Sequence, residues 1–253
     1  MPLFKEITLA ADAHFERFLA RLIEEAKPKP PPKQYTSGNR PLARQSPQPD
    51  RLVAVQAARV PMIEAARRLL KSIALIPGKV DAANVDSFHE GLAKEVSAFE
   101  SICQDACLWH GDITVASYVL CAALDEAASH APWALDNEET AHIWAGRLSL
   151  QFHGANLGGE GFFAVLAKAM HDPARNIIVL ELLLLILALG FQGIFRNKSN
   201  GPREIQRAKD LAYKAVLQFY DNAGLPSLRV IEHLLAGASY ASLSAQAQTE
   251  LYS

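Results

Sequence analysis

From Leu52 onward, apolar residues recur every three to four positions, the spacing of one face of an α-helix. Val60, Ile63, Ala66, Leu70 and Ile73 form one such face, with Pro61 early enough to sit in a first turn, where its missing N–H is harmless, and Gly78 closing the segment. Leu92, Val96, Phe99, Cys103 and Ala106 form the next face, ending near Gly111. Asp112 is placed to cap a third helix carrying Val115, Tyr118, Val119 and Ala122. Further helices fit residues 138–152, 159–171, 176–190, 203–220 and 226–238. No alternating pattern of useful length, and no Asn-Gly or Asp-Gly turn between apolar runs, points to strands. The pattern predicts an all-α fold. Breakers at Ala131-Pro132-Trp133, at Gly154 to Gly161 and at Ser199-Asn200-Gly201-Pro202 interrupt it, which favours two packed sub-bundles with a cleft between them.

The same pattern divides the chain. Residues 1–26 carry the stripe Phe15, Phe18, Leu19, Leu22 and Ile23 of a short amphipathic helix. Residues 27–50, opening on Lys27-Pro-Lys-Pro-Pro-Pro-Lys33, offer little to bury and read as a proline-rich linker. Residues 51–240 form the helical domain, and 241–253 a tail. Charges break every apolar window near the N-terminus, so no secretory signal core is expected. The most apolar stretch, Ile177–Leu189, contains Glu181 and falls short of the roughly 20 residues that a bilayer span takes. It reads as a buried core helix.

Composition narrows the function classes. With 25 Lys and Arg against 27 Asp and Glu, the net charge of −2 gives no basic footprint for nucleic acid. Cys103, Cys107 and Cys121 cannot all pair with one another, and so sparse a set suits a reducing compartment.

The candidate chemistry is thin. Asp125 and Glu126 are adjacent acids at the end of an apolar face, Glu126 falling inside the inward stripe and Asp125 at its edge. Burying carboxylates without partners is costly, so they either cap or ion-pair a neighbouring helix, or form an acidic cleft that binds a partner protein. Neighbouring helix positions diverge, which disfavours a joint acid–base role on one substrate atom. In Phe152–Phe163, Gly158 and Gly159 lack the spacing of a phosphate loop. They fit a close meeting of two helices, with Glu160 in a favourable first turn and His153 as a hydrogen-bonded structural histidine. Cys103, Cys107 and His110 can share a helix face but lack a fourth ligand for zinc; Cys103 and Cys107 fit the core stripe instead. Glu181 needs a partner, with Arg147, Arg196 and Lys198 as candidates. No nucleophile elbow, Walker loop or zinc-protease motif occurs, so no catalytic residue, cofactor or metal is expected and a scaffold or adaptor is favoured.

Taken in order, these segments resemble the TssL/DotU (IcmH-like) family. Ala116-Ser-Tyr-Val-Leu-Cys-Ala-Ala-Leu-Asp-Glu126, followed by Trp133, matches its Ala-Arg-Tyr-x-Leu-Cys-Ala-x-x-Asp-Glu signature around Tyr118, with Ser117 in place of Arg. Phe152, His153, Gly158, Gly159, Glu160, Phe162 and Phe163 match a second signature, with Ala155 and Leu157 where Glu and Trp are common. Leu180–Leu182 and Leu189–Arg196, including Gly190 and Gly193, match a third, and Gly201, Glu204, Arg207, Leu211 and Tyr213 extend it.

The resemblance implies two three-helix bundles forming a hook, on the cytoplasmic face of the bacterial inner membrane. It implies a scaffold of a type VI secretion system that docks a TssM-like and TssJ-containing membrane complex and TssK-like and TssE-like baseplate proteins, with a homodimer as a further option. It assigns partner binding to Asp125 and Glu126. Relatives end in a transmembrane helix, which is expected to follow residue 253; the alternative is a soluble regulatory adaptor without an anchor.

Overall fold

The computed structural model describes residues 49–76, 80–136, 144, 146–154 and 158–224. The helices expected within 4–26 and 226–238 lie outside these residues. In chain order the elements are α1 (Pro49–Ala57), α2 (Pro61–Ala74), α3 (Ala82–Asp105), α4 (His110–Ser129) and the single turn α5 (Pro132–Leu135). There follow α6 (Arg147–His153), α7 (Gly158–His171), α8 (Pro173–Ala188), a 3₁₀ turn at Gly193–Phe195 and α9 (Gly201–Ala223). Among the described residues there is no strand, and the fold is all-α.

Local chemistry explains most boundaries. Proline occupies the first turn of α2, α5, α8 and α9, where no intrahelical N–H is lost. Asp172 caps α8 by accepting from the Arg175 N–H, 3.3 Å away. Gly154 and Gly224 end α6 and α9 in the left-handed conformation that glycine adopts without strain. Three expectations need correction. The cap position of α4 is Trp109, and Asp112 lies inside the first turn, where its charge still favours the helix N-terminus. The helix expected over 138–152 is broken at Gly146, which turns left-handed between the helical Trp144 and α6; residues 137–143 and 145 lie outside the described residues. Cys107 has left α3 for a left-handed position (φ 59°) and is exposed, while Cys103 alone stays in the core beside the Met62 sulfur.

The core is organised around two helices. α4 packs against α2, α3, α6, α7 and α8, and it is buried on nearly every side from Ile113 to Ala128. Its run of small residues (Ala116, Ser117, Ala122, Ala123 and Ala128) lets these neighbours approach closely. A helix so enclosed has no single inward stripe, which is why Asp125 is buried rather than lying at an edge. α8 packs against α9, α7, α4 and α2, and every residue from Val179 to Leu187 is buried. By length and composition Pro173–Phe195 could cross a membrane, but its centre is enclosed by the protein's own helices.

Glu181 sits in that apolar helix, and its partner is none of the three expected cations. Arg147 pairs with Asp86 and Arg196 with Glu126, while Lys198 lies over the Phe195 ring. Glu181 instead accepts the Tyr220 hydroxyl of α9 at 2.5 Å, with Arg59 over the Tyr220 ring. A neutral donor suits the site, because burial favours the protonated acid and raises its pKa to about 7, against partial opposition from Tyr220 and Arg59.

This raised pKa fixes a pH dependence. Unfolded, Glu181 releases its proton near 4.5; folded, it holds the proton to about 7, so ionisation favours the unfolded chain across that window. Its contribution to stability therefore falls as pH rises from about 4.5 to 7, by on the order of 3 kcal/mol. Glu181→Gln, which can still accept from Tyr220, should flatten the decline. Urea unfolding of both proteins at pH 4.5 and 7.5 checks this, the variant gaining on the parent chain at the higher pH.

Candidate functional site

The adjacent acids near the end of α4 reach two different segments. Asp125 is 5% exposed and accepts the Leu148 N–H (3.1 Å) and the Ser149 N–H (2.9 Å), one on each carboxylate oxygen. Those amides belong to the first turn of α6, which has no side-chain cap of its own. Asp125 thus caps α6 from another helix, satisfying donors that the helix geometry leaves open. Burial raises its pKa, opposed by the bonds from Ser149 and Leu148.

Glu126 turns the other way. One of its oxygens accepts the Gln192 N–H at 2.8 Å and the Arg196 guanidinium at 2.7 Å, and the second accepts the Gly193 N–H at 2.6 Å. These groups belong to the 3₁₀ turn and its flanks. Two neighbouring side chains therefore tie α6 and the turn after α8 to one end of α4. The partner-gripping role expected for the pair has to work through this geometry, because both carboxylates already hold internal donors.

The turn gripped by Glu126 also meets the start of α7. Gly193 is left-handed (φ 53°), and a methyl group on Gly159 would collide with the backbone of Gly193 and Ile194. Here two backbones touch, and only glycine leaves the space. Behind them Phe162 packs at a tilt against Phe191 (ring centroids 4.2 Å apart), and Phe163 stands edge-on to Phe195 (4.7 Å). Glu160 is exposed in the first turn of α7. Gly190 (φ 104°) ends α8 and redirects the chain toward Phe191. Above this junction opens a notch of about 190 Å³, lined by Ala122, Asp125, Glu126, Ser129, His130, Gly146, Gly159 and Gly193. Gly146, Ser129 and His130 escaped the sequence reading; the left-handed glycine before α6 was the one available signal.

The remaining candidates lie elsewhere. Trp133 packs edge-on to Trp144 (5.8 Å) and Phe88 (6.1 Å), closing the core beneath α5. Tyr118 stands edge-on to the His153 ring at 5.5 Å, and burial lifts its pKa to about 12. Among the described residues, no group of three or more His, Cys, Asp and Glu side chains could hold a metal ion.

A family model described as type VI secretion system protein DotU matches residues 61–248. The chain belongs to the DotU family. Comparison with the curated proteins and with the solved structures gives no match. DotU membership makes the chain a component of a type VI or related type IVB secretion system, in a structural family associated with the inner membrane.

Within this DotU domain, Ser117 seams three helices at the position where Arg was expected. Its hydroxyl contacts Glu100 Oε1 on α3 at 2.5 Å and His153 Nε2 on α6 at 3.3 Å. Serine, histidine and acid together suggest a nucleophile, but the arrangement does not. Ser117 is fully buried, and acid and imidazole converge on one hydroxyl instead of forming a relay through the histidine. Burial holds the His153 pKa below its ordinary value, consistent with a neutral ring in a packed seam.

Truncating the acids should cost stability. Asp125→Ala or Glu126→Ala orphans at least two backbone donors, at about 1–3 kcal/mol for each one left buried. Gly159→Ala should cost at least as much as either, through backbone collision. Chemical denaturation of the three variants checks this; midpoints equal to the parent chain's would refute the internal clamp.

Proposed function

We propose that this DotU domain is a structural scaffold of a type VI secretion membrane complex, docking baseplate proteins at the cytoplasmic face of the inner membrane. In this reading TssM-like and TssJ-containing partners hold it at the membrane, and TssK-like and TssE-like proteins meet the cytoplasmic hook of two three-helix bundles. The observation that supports it is the notch at the end of α4. It is rimmed by Ser129 and the exposed His130 and floored by glycine backbone. A concave, backbone-lined surface held by buried bonds is a shape that a partner side chain can enter without first ordering a loop.

Asp125 and Glu126 take part by positioning. They fix α6 and the 3₁₀ turn so that the notch keeps its form, and their charge lends the floor a negative potential that favours a basic or amide-bearing group. Loss of either acid would therefore weaken a partner indirectly, through shape.

A rim variant separates contact from positioning. Ser129→Trp should fill the notch, leave the unfolding midpoint within a few degrees of the parent chain's, and cut capture of baseplate proteins from a type VI-competent strain at least several-fold. Normal capture and secretion by Ser129→Trp would rule out the notch as the docking surface.

A further inference from the structure

A second concavity lies away from the notch, between α2 and α3. This groove of about 580 Å³ is lined by Arg68 and Lys71 on α2, by Leu75 just past its end, and by Phe88, Gly91 and Glu95 on α3, among others. Leu75 is 51% exposed at one end, and Phe88 is half-buried along the wall. A Cβ placed on Gly91 would meet nothing within 4 Å, so the missing side chain leaves the groove open without serving any internal contact. Glycine inside a long helix costs roughly 1 kcal/mol relative to alanine, and no packing here offsets that cost.

The chain itself enters beside this groove. Arg51, in the first turn of α1, pairs with Glu95 at 2.6 Å and donates to the Ala65 carbonyl at 2.8 Å. Glu95 also lies 3.6 Å from Arg68, so the residue that anchors the start of α1 forms one end of the groove. Whatever precedes Pro49 starts at that end. Charge then discriminates between the upstream segments. Residues 27–48 carry Lys27, Lys29, Lys33, Arg40 and Arg44 with no acid, and they would be repelled by Arg68 and Lys71. Residues 4–26 present the apolar stripe Phe15, Phe18, Leu19, Leu22 and Ile23, and their acids Glu6, Asp12, Glu16, Glu24 and Glu25 outweigh the cations Lys5, Arg17 and Arg21. That is the complement of an apolar groove edged by Arg68 and Lys71. Extended proline-rich chain advances about 3 Å per residue, so the linker is long enough to fold back over any part of the domain.

We infer that residues 4–26 dock in cis, as an amphipathic helix, in the α2–α3 groove of their own chain. Stripe residues fill the space over Gly91 and beside Phe88, and the acids face Arg68 and Lys71. The basic linker stays outside.

The test uses the whole 253-residue chain with benzoylphenylalanine replacing the exposed Leu75. Irradiated mixtures of light and heavy isotope-labelled protein are digested and read by mass spectrometry. The expected result is cross-links to residues 15–25 of the same chain. Gly91→Leu, which fills the groove without a collision, should reduce their yield several-fold while the unfolding midpoint stays level or rises. Cross-links confined to other segments, links only between copies, no links at all, or a yield unchanged by Gly91→Leu would each overturn the proposal.

Discussion

The structure depends on two neighbouring carboxylates at one end of a buried helix, each spent on backbone amides of a different segment. A helix first turn and a 3₁₀ turn both present N–H groups without intrahelical acceptors. Asp125 answers the first and Glu126 the second, so α6 and the turn after α8 are tied to α4, which packs against most of the other helices described. Charged acceptors give stronger bonds than neutral ones, and the surrounding burial excludes the competing water.

Glycine makes the second half of that tie possible. Gly193 presents its N–H to Glu126 while its backbone rests on Gly159. A side chain at either position would push the turn away from α7 and lengthen the bonds to Glu126. The carboxylate and the two glycines are therefore one device, contributed by α4, α7 and the turn after α8. The notch is its outward face. The shape of the notch rests on these buried bonds.

Helical periodicity made the fold legible. The faces of α2 and α3, and the apolar run of α8, could be read directly, because each is long and bounded by proline, glycine or a capping acid. The pattern read least well at α4, where neighbours on nearly all sides erase the contrast between faces and conceal which acid turns inward. The partner of Glu181 was hidden for a related reason: a buried acid of raised pKa takes a neutral tyrosine, whereas a search by charge points to Arg147, Arg196 or Lys198. The candidate site was legible as residues but not as roles. Asp125, Glu126, Gly159 and Gly193 stood out in sequence, yet their mutual contacts join segments up to 67 positions apart and rest on backbone amides, which every residue type except proline possesses.

The most direct measurement is amide hydrogen exchange in the isolated, partner-free chain, followed residue by residue in NMR spectra. If the acids are internal acceptors, the N–H groups of Leu148, Ser149, Gln192 and Gly193 are protected well above their loop neighbours before any partner is added. Exchange of those four amides at the rate of open loops, with protection arising only on partner binding, would contradict the clamp and return Asp125 and Glu126 to the role of direct partner ligands.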